Sequence, residues 1–216
     1  MTPDYTKAAI KAAETLIKYG VKTAPVSPLP ILEAMDNVMT KSFLDICNHS
    51  GLQPCELKPL FGKGQDALSS IHTENGKTWY VVAYNSLLPF NIIQRALARE
   101  MGHIVLKHEG SSPENTAEAV CFAHHLLCPR PLIHTIQATG MKLTKDKLAN
   151  LTGVFDQCLK CIRHTPGVSV PASTNRFIRG QFMPFVMNFV DYYTTVMPED
   201  GSAIADLGTY MDLYEE

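Results

Sequence analysis

Apolar and polar positions along the chain alternate with two periods, and the clearest stretch is Asn91 to His108. Ile93, Leu97, Met101 and Ile104 recur there at steps of three and four, the spacing of one buried helical stripe. Around it the pattern predicts a first helix capped by Thr2 or Asp4, running to about Tyr19 and ended by Gly20. A short helix opens at Ser27 or Pro28 and continues through Met35. Val38 to Ile46 reads as a strand, and residues 48–65 are turn-rich without a clear period. Ala67 to Thr73 and Thr78 to Tyr84 flank Asn75-Gly76, a strong two-residue hairpin signal. The organising helix then ends near Gly110. Ser112-Pro113-Glu114 offers a cap, a first-turn proline and an early acid for a second helix through Leu127. Leu132 to Ala138 forms another, ended by Gly140. Residues 143–164 read as two short helices broken at Gly153, and Ser173 to Val196 as a long helix. The implied fold class is α+β: a small, mostly antiparallel sheet on the organising helix, followed by a helical C-terminal part.

Length and composition bound this reading. The 216 residues, 45% hydrophobic, can build one sizeable domain or a domain with a helical appendage. The boundary suggested by the pattern falls at about residue 140, with 1–140 as the α+β domain and 141–216 as a helical region with an acidic tail. A net charge of −2 gives no general reason to expect nucleic acid or an anionic membrane. Charge is uneven, however: Lys142 to Arg179 is basic, and the residues after 180 hold seven acids and no Lys or Arg. A basic patch folded against an acidic tail accounts for this. No apolar run reaches the length of a membrane span, and the N-terminal pattern is an amphipathic helix and not a signal peptide. The six cysteines lack the spacing of a small disulfide scaffold, which points to free thiols in a reducing cytoplasm.

The chemistry concentrates in Arg99-Glu100-Met101-Gly102-His103. A zinc-peptidase helix reads His-Glu-x-x-His, with two imidazoles on one face and the glutamate beside them as general base. This chain has the glutamate and the second histidine, with Arg99 at the first. Arg99 and His103 lie roughly 40° apart on the helix. Glu100 leans toward the buried side, where a carboxylate needs a partner. Gly102 within a helix costs about 1 kcal/mol relative to Ala, which suggests close approach by another backbone. The next helix carries Glu118, which a helix–turn–helix return can bring back beside His103. Cys121 and His125, three and seven residues on, are either substitute ligands or packed core residues. His108 is about 140° round from His103, so an unbroken helix cannot turn both toward one metal.

Two segments together carry a family resemblance. Ala98-Arg99-Glu100-Met101-Gly102-His103, followed by Glu118-Ala119-Val120-Cys121-Phe122-Ala123 and Leu126-Leu127-Cys128-Pro129, resembles the ImmA/IrrE metallopeptidases. Their helix reads Ala-His-Glu-Leu-Gly-His, and a Glu-Ala-Asn-x-Phe-Ala segment carries the third ligand. The resemblance spans about residues 25–135. It implies a zincin-like core, zinc as cofactor where the site is functional, and a repressor-type regulatory protein as substrate or partner. It also implies that His103 is the second zinc ligand, Glu100 the catalytic base and Glu118 the carboxylate ligand. Arg99 departs from the family at the first ligand and Val120 at its usual Asn. A guanidinium cannot donate a lone pair and places positive charge where a dication would sit. The expectation is therefore that Arg99 replaces the metal, pairing with Glu118 or Glu100 and joining the two helices. The chain would then be a pseudo-peptidase that binds its partner without cutting it; the competing expectation is a metal site rebuilt with Cys121, His125 or another His, with residual peptide hydrolysis and Glu100 as base. Two further patterns are weaker. Cys158-Leu-Lys-Cys161 has redox or zinc spacing without a second pair, and reads as two thiols on a helical turn. Residues 143–164 are similar to a helix-turn-helix, but few polar residues suit a recognition helix, so DNA binding is the minority reading.

Overall fold

The computed structural model describes residues 2–53, 56, 66–154 and 168–196. Helix α1 (Tyr5–Lys18) starts where the Asp4 carboxylate accepts from the Lys7 amide at 2.8 Å. Its buried face is largely alanine (Ala8, Ala9, Ala12 and Ala13, with Leu16), which lets a second helix pack close. The short α2 (Pro28–Glu33) leads into strand β1 (Val38–Ser42). The expected strand to Ile46 stops four residues early. Ser42 and Asp45 form a reciprocal capping box, the Ser42 hydroxyl accepting from Asp45 N–H and the Asp45 carboxylate from Ser42 N–H. Helix α3 (Phe43–Ser50) begins there instead.

Strands β2 (Ala67–Glu74) and β3 (Lys77–Tyr84) form the expected hairpin. Asn75 and Gly76 have φ of 51° and 73°, the left-handed pair that a two-residue turn of matching twist requires. The strand order is β1-β3-β2, with β1 parallel to β3 and β2 antiparallel to it. The sheet is thus evenly mixed, where a mostly antiparallel one was expected. The reason is the crossover: after α3 the chain enters β2 at the far edge, opposite in direction to β1, so β3 comes back between the two and runs parallel to β1.

Helices α4 (Phe90–Leu106), α5 (Pro113–Leu127) and α6 (Arg130–Ala138) follow, with α7 (Lys145–Thr152) and α8 (Ala172–Asp191) beyond. A π-helical turn over Tyr192–Val196 extends α8. The second short helix expected after Gly153, the Cys158–Cys161 pair and the acidic tail lie outside the described residues. Leu97 and Met101 of α4, Phe122 and Leu126 of α5, and Ile133 and Ile136 of α6 belong to one core with Leu16, Leu32 and Val82. Ile178, Phe182 and Val186 of α8 join it. The Gln181 amide also donates to the carbonyls of Leu16 and Val21 where α1 ends. Among the described residues no helix is long and apolar enough to cross a membrane. Cys47 and Cys121 are thiols outside any disulfide. Cys128 is disulfide-bonded, which corrects the expectation of free cysteines throughout; spacing along a sequence does not reveal tertiary pairing.

The crossing of α4 and α5 fixes the rest. A Cβ at Gly102 would sit 2.9 Å from the Ala119 carbonyl oxygen, 3.0 Å from Ala119 Cα and 3.2 Å from Phe122 Cβ. Backbone cannot move aside as a flexible side chain can. Gly102→Ala gains helix propensity but must part the helices, at a cost of about 1–3 kcal/mol for overpacking. A urea titration should show a net loss of stability, with a lower midpoint and an unchanged slope.

Candidate functional site

Helix α4 lies across the face of the sheet that carries Ala67, Ser69, Val82 and Tyr84. A cleft of about 480 Å³ opens between α4 and β2, with Ser69 and Ile71 on one side and Arg99, Glu100, His103 and His108 on the other. Glu100 is 6% exposed, and both of its oxygens are engaged. Arg99 Nη2 and Nε donate to Oε1 at 3.0 and 3.2 Å, and Ser69 Oγ donates to Oε2 at 2.8 Å. Arg99 Nη2 also reaches the Ala67 carbonyl at 3.3 Å. The expected guanidinium pairing therefore forms with Glu100 and not with Glu118. Its second anchor is β2, so it fastens α4 to the sheet and does not join α4 to α5.

Glu118 has other partners. Its Oε1 accepts from the Asp4 amide at 2.8 Å, and its Oε2 lies 3.2 Å from His108 Nε2. His108 Nδ1 in turn lies 3.1 Å from His103 Nδ1, the rings meeting edge to face with centroids 5.1 Å apart. Helical geometry alone placed His108 away from His103. The helix is not continuous there: Lys107 caps it in the left-handed conformation, φ 58° and ψ 45°, and swings His108 back over the last turn. Burial pushes the His103 imidazole below its usual range; Glu100 opposes the shift, and His108 and Arg99 add to it.

Zinc needs three or more donors converging at about 2.0–2.2 Å on one point. Here His108 lies between His103 and Glu118 and spends one ring nitrogen on each, while position 99 holds a cation. Among the described residues no group of three or more His, Cys, Asp or Glu side chains is placed to hold a metal ion. As arranged, these residues do not fit zinc. The two candidate substitute ligands do not line the cleft. The Cys121 thiol donates to the Tyr5 carbonyl at 3.6 Å, tying α5 to α1. His125 is buried at 7% exposure, and its Nε2 has no hydrogen-bond partner among the described residues.

Ser69, His108 and the Asp4 amide belong to the site and were not singled out as site residues from the sequence. Ser69 had a readable signal, a polar residue on the strand face that also carries Ala67 and Ile71. The Asp4 contact bridges more than a hundred residues, and no local pattern marks it. Of the helix-turn-helix-like stretch, α7 and its cap Gly153 are described, and the recognition-helix half lies outside the described residues. Comparison with protein-family models, with curated proteins and with solved structures finds no match to this chain.

Two outcomes follow from this chemistry. Removing the cation in Arg99→Leu leaves the Glu100 carboxylate with only Ser69 in a buried setting, and should destabilise the fold by about 1–3 kcal/mol in urea denaturation. Glu100→Gln, which keeps an acceptor for Arg99, should cost less. The second outcome concerns His125, whose pKa is pushed down to about 3 by burial, with Arg130 and His124 adding to it. Between that value and the unfolded value of about 6.5, the unfolded state binds the extra proton. The stability that His125 contributes is therefore complete above about pH 6.5 and is lost as pH falls toward 3, at no more than about 1.4 kcal/mol per pH unit. Urea midpoints measured from pH 7 to pH 4.5 should fall, and the fall should be shallower in His125→Phe.

Proposed function

We propose that this chain is an ImmA/IrrE-like protein with a zincin-like core that binds a segment of a regulatory, repressor-type protein in the cleft between β2 and α4 without hydrolysing it. The Arg99–Glu100 ion pair carries this reading. In a peptidase of the resembled kind the glutamate must hold a water and take its proton. Here one Glu100 oxygen takes two guanidinium hydrogens and the other takes the Ser69 hydroxyl hydrogen. A carboxylate engaged in this way is a structural anchor and a poor base.

Binding has independent support. β2 is at the edge of the sheet among the described residues, and the cleft runs beside it. An extended segment can add to such an edge through main-chain hydrogen bonds, with alternate side chains entering the cleft. Ile71, 48% exposed, offers an apolar contact there.

A random-sequence peptide pool tests both halves. Incubation followed by mass spectrometry should show no cleavage, with or without added zinc, and the purified protein should carry well below one equivalent of metal. Affinity selection from the same pool should yield bound peptides, and Ile71→Arg should weaken their binding at least tenfold. Cleavage abolished by Glu100→Gln would overturn the non-catalytic reading, and a pool that never binds would overturn the cleft as a peptide site.

A further inference from the structure

With His108 as a neutral imidazole, the chain of contacts from Glu118 to His103 sets where each proton sits. As a carboxylate, Glu118 only accepts, so the contact at 3.2 Å requires the proton of His108 on Nε2. A neutral imidazole has a single N–H, so His108 Nδ1 is an acceptor. The donor 3.1 Å away must then be His103 Nδ1–H. His103 is left with a lone pair on Nε2, the opposite of the tautomer that a neutral histidine prefers in water. That nitrogen has no hydrogen-bond partner among the described residues, and His103 lines the cleft.

One helical turn earlier, Arg99 spends Nε and Nη2 on Glu100 and Ala67. Its Nη1, with two N–H groups, has no hydrogen-bond partner among the described residues, and Arg99 also lines the cleft. Residues four apart on a helix are surface neighbours, about 5–6 Å between Cβ atoms. The same cleft is therefore offered one donor edge and one neutral acceptor, side by side.

We infer that Arg99 Nη1 and His103 Nε2 together read a carboxamide, the side chain of a Gln or Asn in the bound segment. Its oxygen accepts from Arg99 and its NH₂ donates to His103. The competing groups each fail at one of the two positions. A carboxylate satisfies Arg99 but sets an acceptor against the His103 lone pair, with the carboxylates of Glu100 and Glu109 also on the cleft wall. An ammonium satisfies His103 and faces the guanidinium. An apolar side chain displaces water from both groups and replaces neither bond. His108 and Glu118 are positioning residues here, since they act through the tautomer of His103 and do not touch the ligand. The inference rests on the cleft being a peptide-binding surface.

Long-range ¹H–¹⁵N correlation on the full chain with labelled histidine, at pH 7.5, tests the proton placement directly. The expected result is His103 protonated on Nδ1 and His108 on Nε2. His103 protonated on Nε2 would overturn the inference. The second measurement titrates N-acetyl-glutamine N-methylamide against the glutamate and leucine analogues, reading the His103 Nε2 resonance. The glutamine analogue should act at a concentration at least tenfold lower than either, and equal responses would overturn the inference. In His108→Phe the tautomer constraint is gone, and the preference should fall to within about twofold, corresponding to ~0.4 kcal/mol. Stoichiometric zinc shifting the same nitrogen would also overturn it. A peptide pool that binds without enrichment of Gln or Asn would overturn this inference and leave the binding function intact. A pool that does not bind removes the peptide-site premise, and the inference falls with it.

Discussion

The close crossing of α4 and α5 at Gly102 and Ala119 is the constraint on which the cleft depends. With no side chain at Gly102, the two backbones approach to contact distance, and this sets Glu118 against the end of α4. Only at that separation can His108, swung back by Lys107, touch both His103 and Glu118. The alanine face of α1 extends the same principle to a third helix. It lets α1 lie against α5 closely enough for the Asp4 amide to reach Glu118. Three helices are thus joined by one carboxylate, because small residues were used where they meet.

A buried acid is the second organising element. Glu100 faces the core side of α4, where desolvation would penalise a lone carboxylate. Its partners come from two sources: Arg99 on its own helix, and Ser69 on the strand that the helix covers. The arrangement gives each carboxylate oxygen a donor, and it pins α4 to β2 beside the cleft. It also accounts for the line of residues on that strand face, where a serine interrupts otherwise apolar positions.

Much of this was legible in the sequence. The stripe Ile93-Leu97-Met101-Ile104 marked α4, Asn75-Gly76 marked the hairpin, and Ser112-Pro113 marked the start of α5. Gly102 signalled a close backbone contact before any partner was known. What escaped was decided by tertiary context or by weak local cues. The Ser42–Asp45 capping box was present in the sequence, but the β-branched and apolar run around it read as a continuing strand. Lys107 has no intrinsic preference for the left-handed conformation, so nothing announced that His108 would reverse direction. Arg99 had two acids within reach, Glu100 and Glu118, and sequence spacing could not rank them. The structure ranks them because Glu118 is already committed to His108 and Asp4.

Arg99 has one further consequence. A cation attached covalently to the backbone has no loading step and no dissociation constant. The anchoring of α4 on β2 is complete when the chain folds, at any supply of divalent ions and in the presence of chelators.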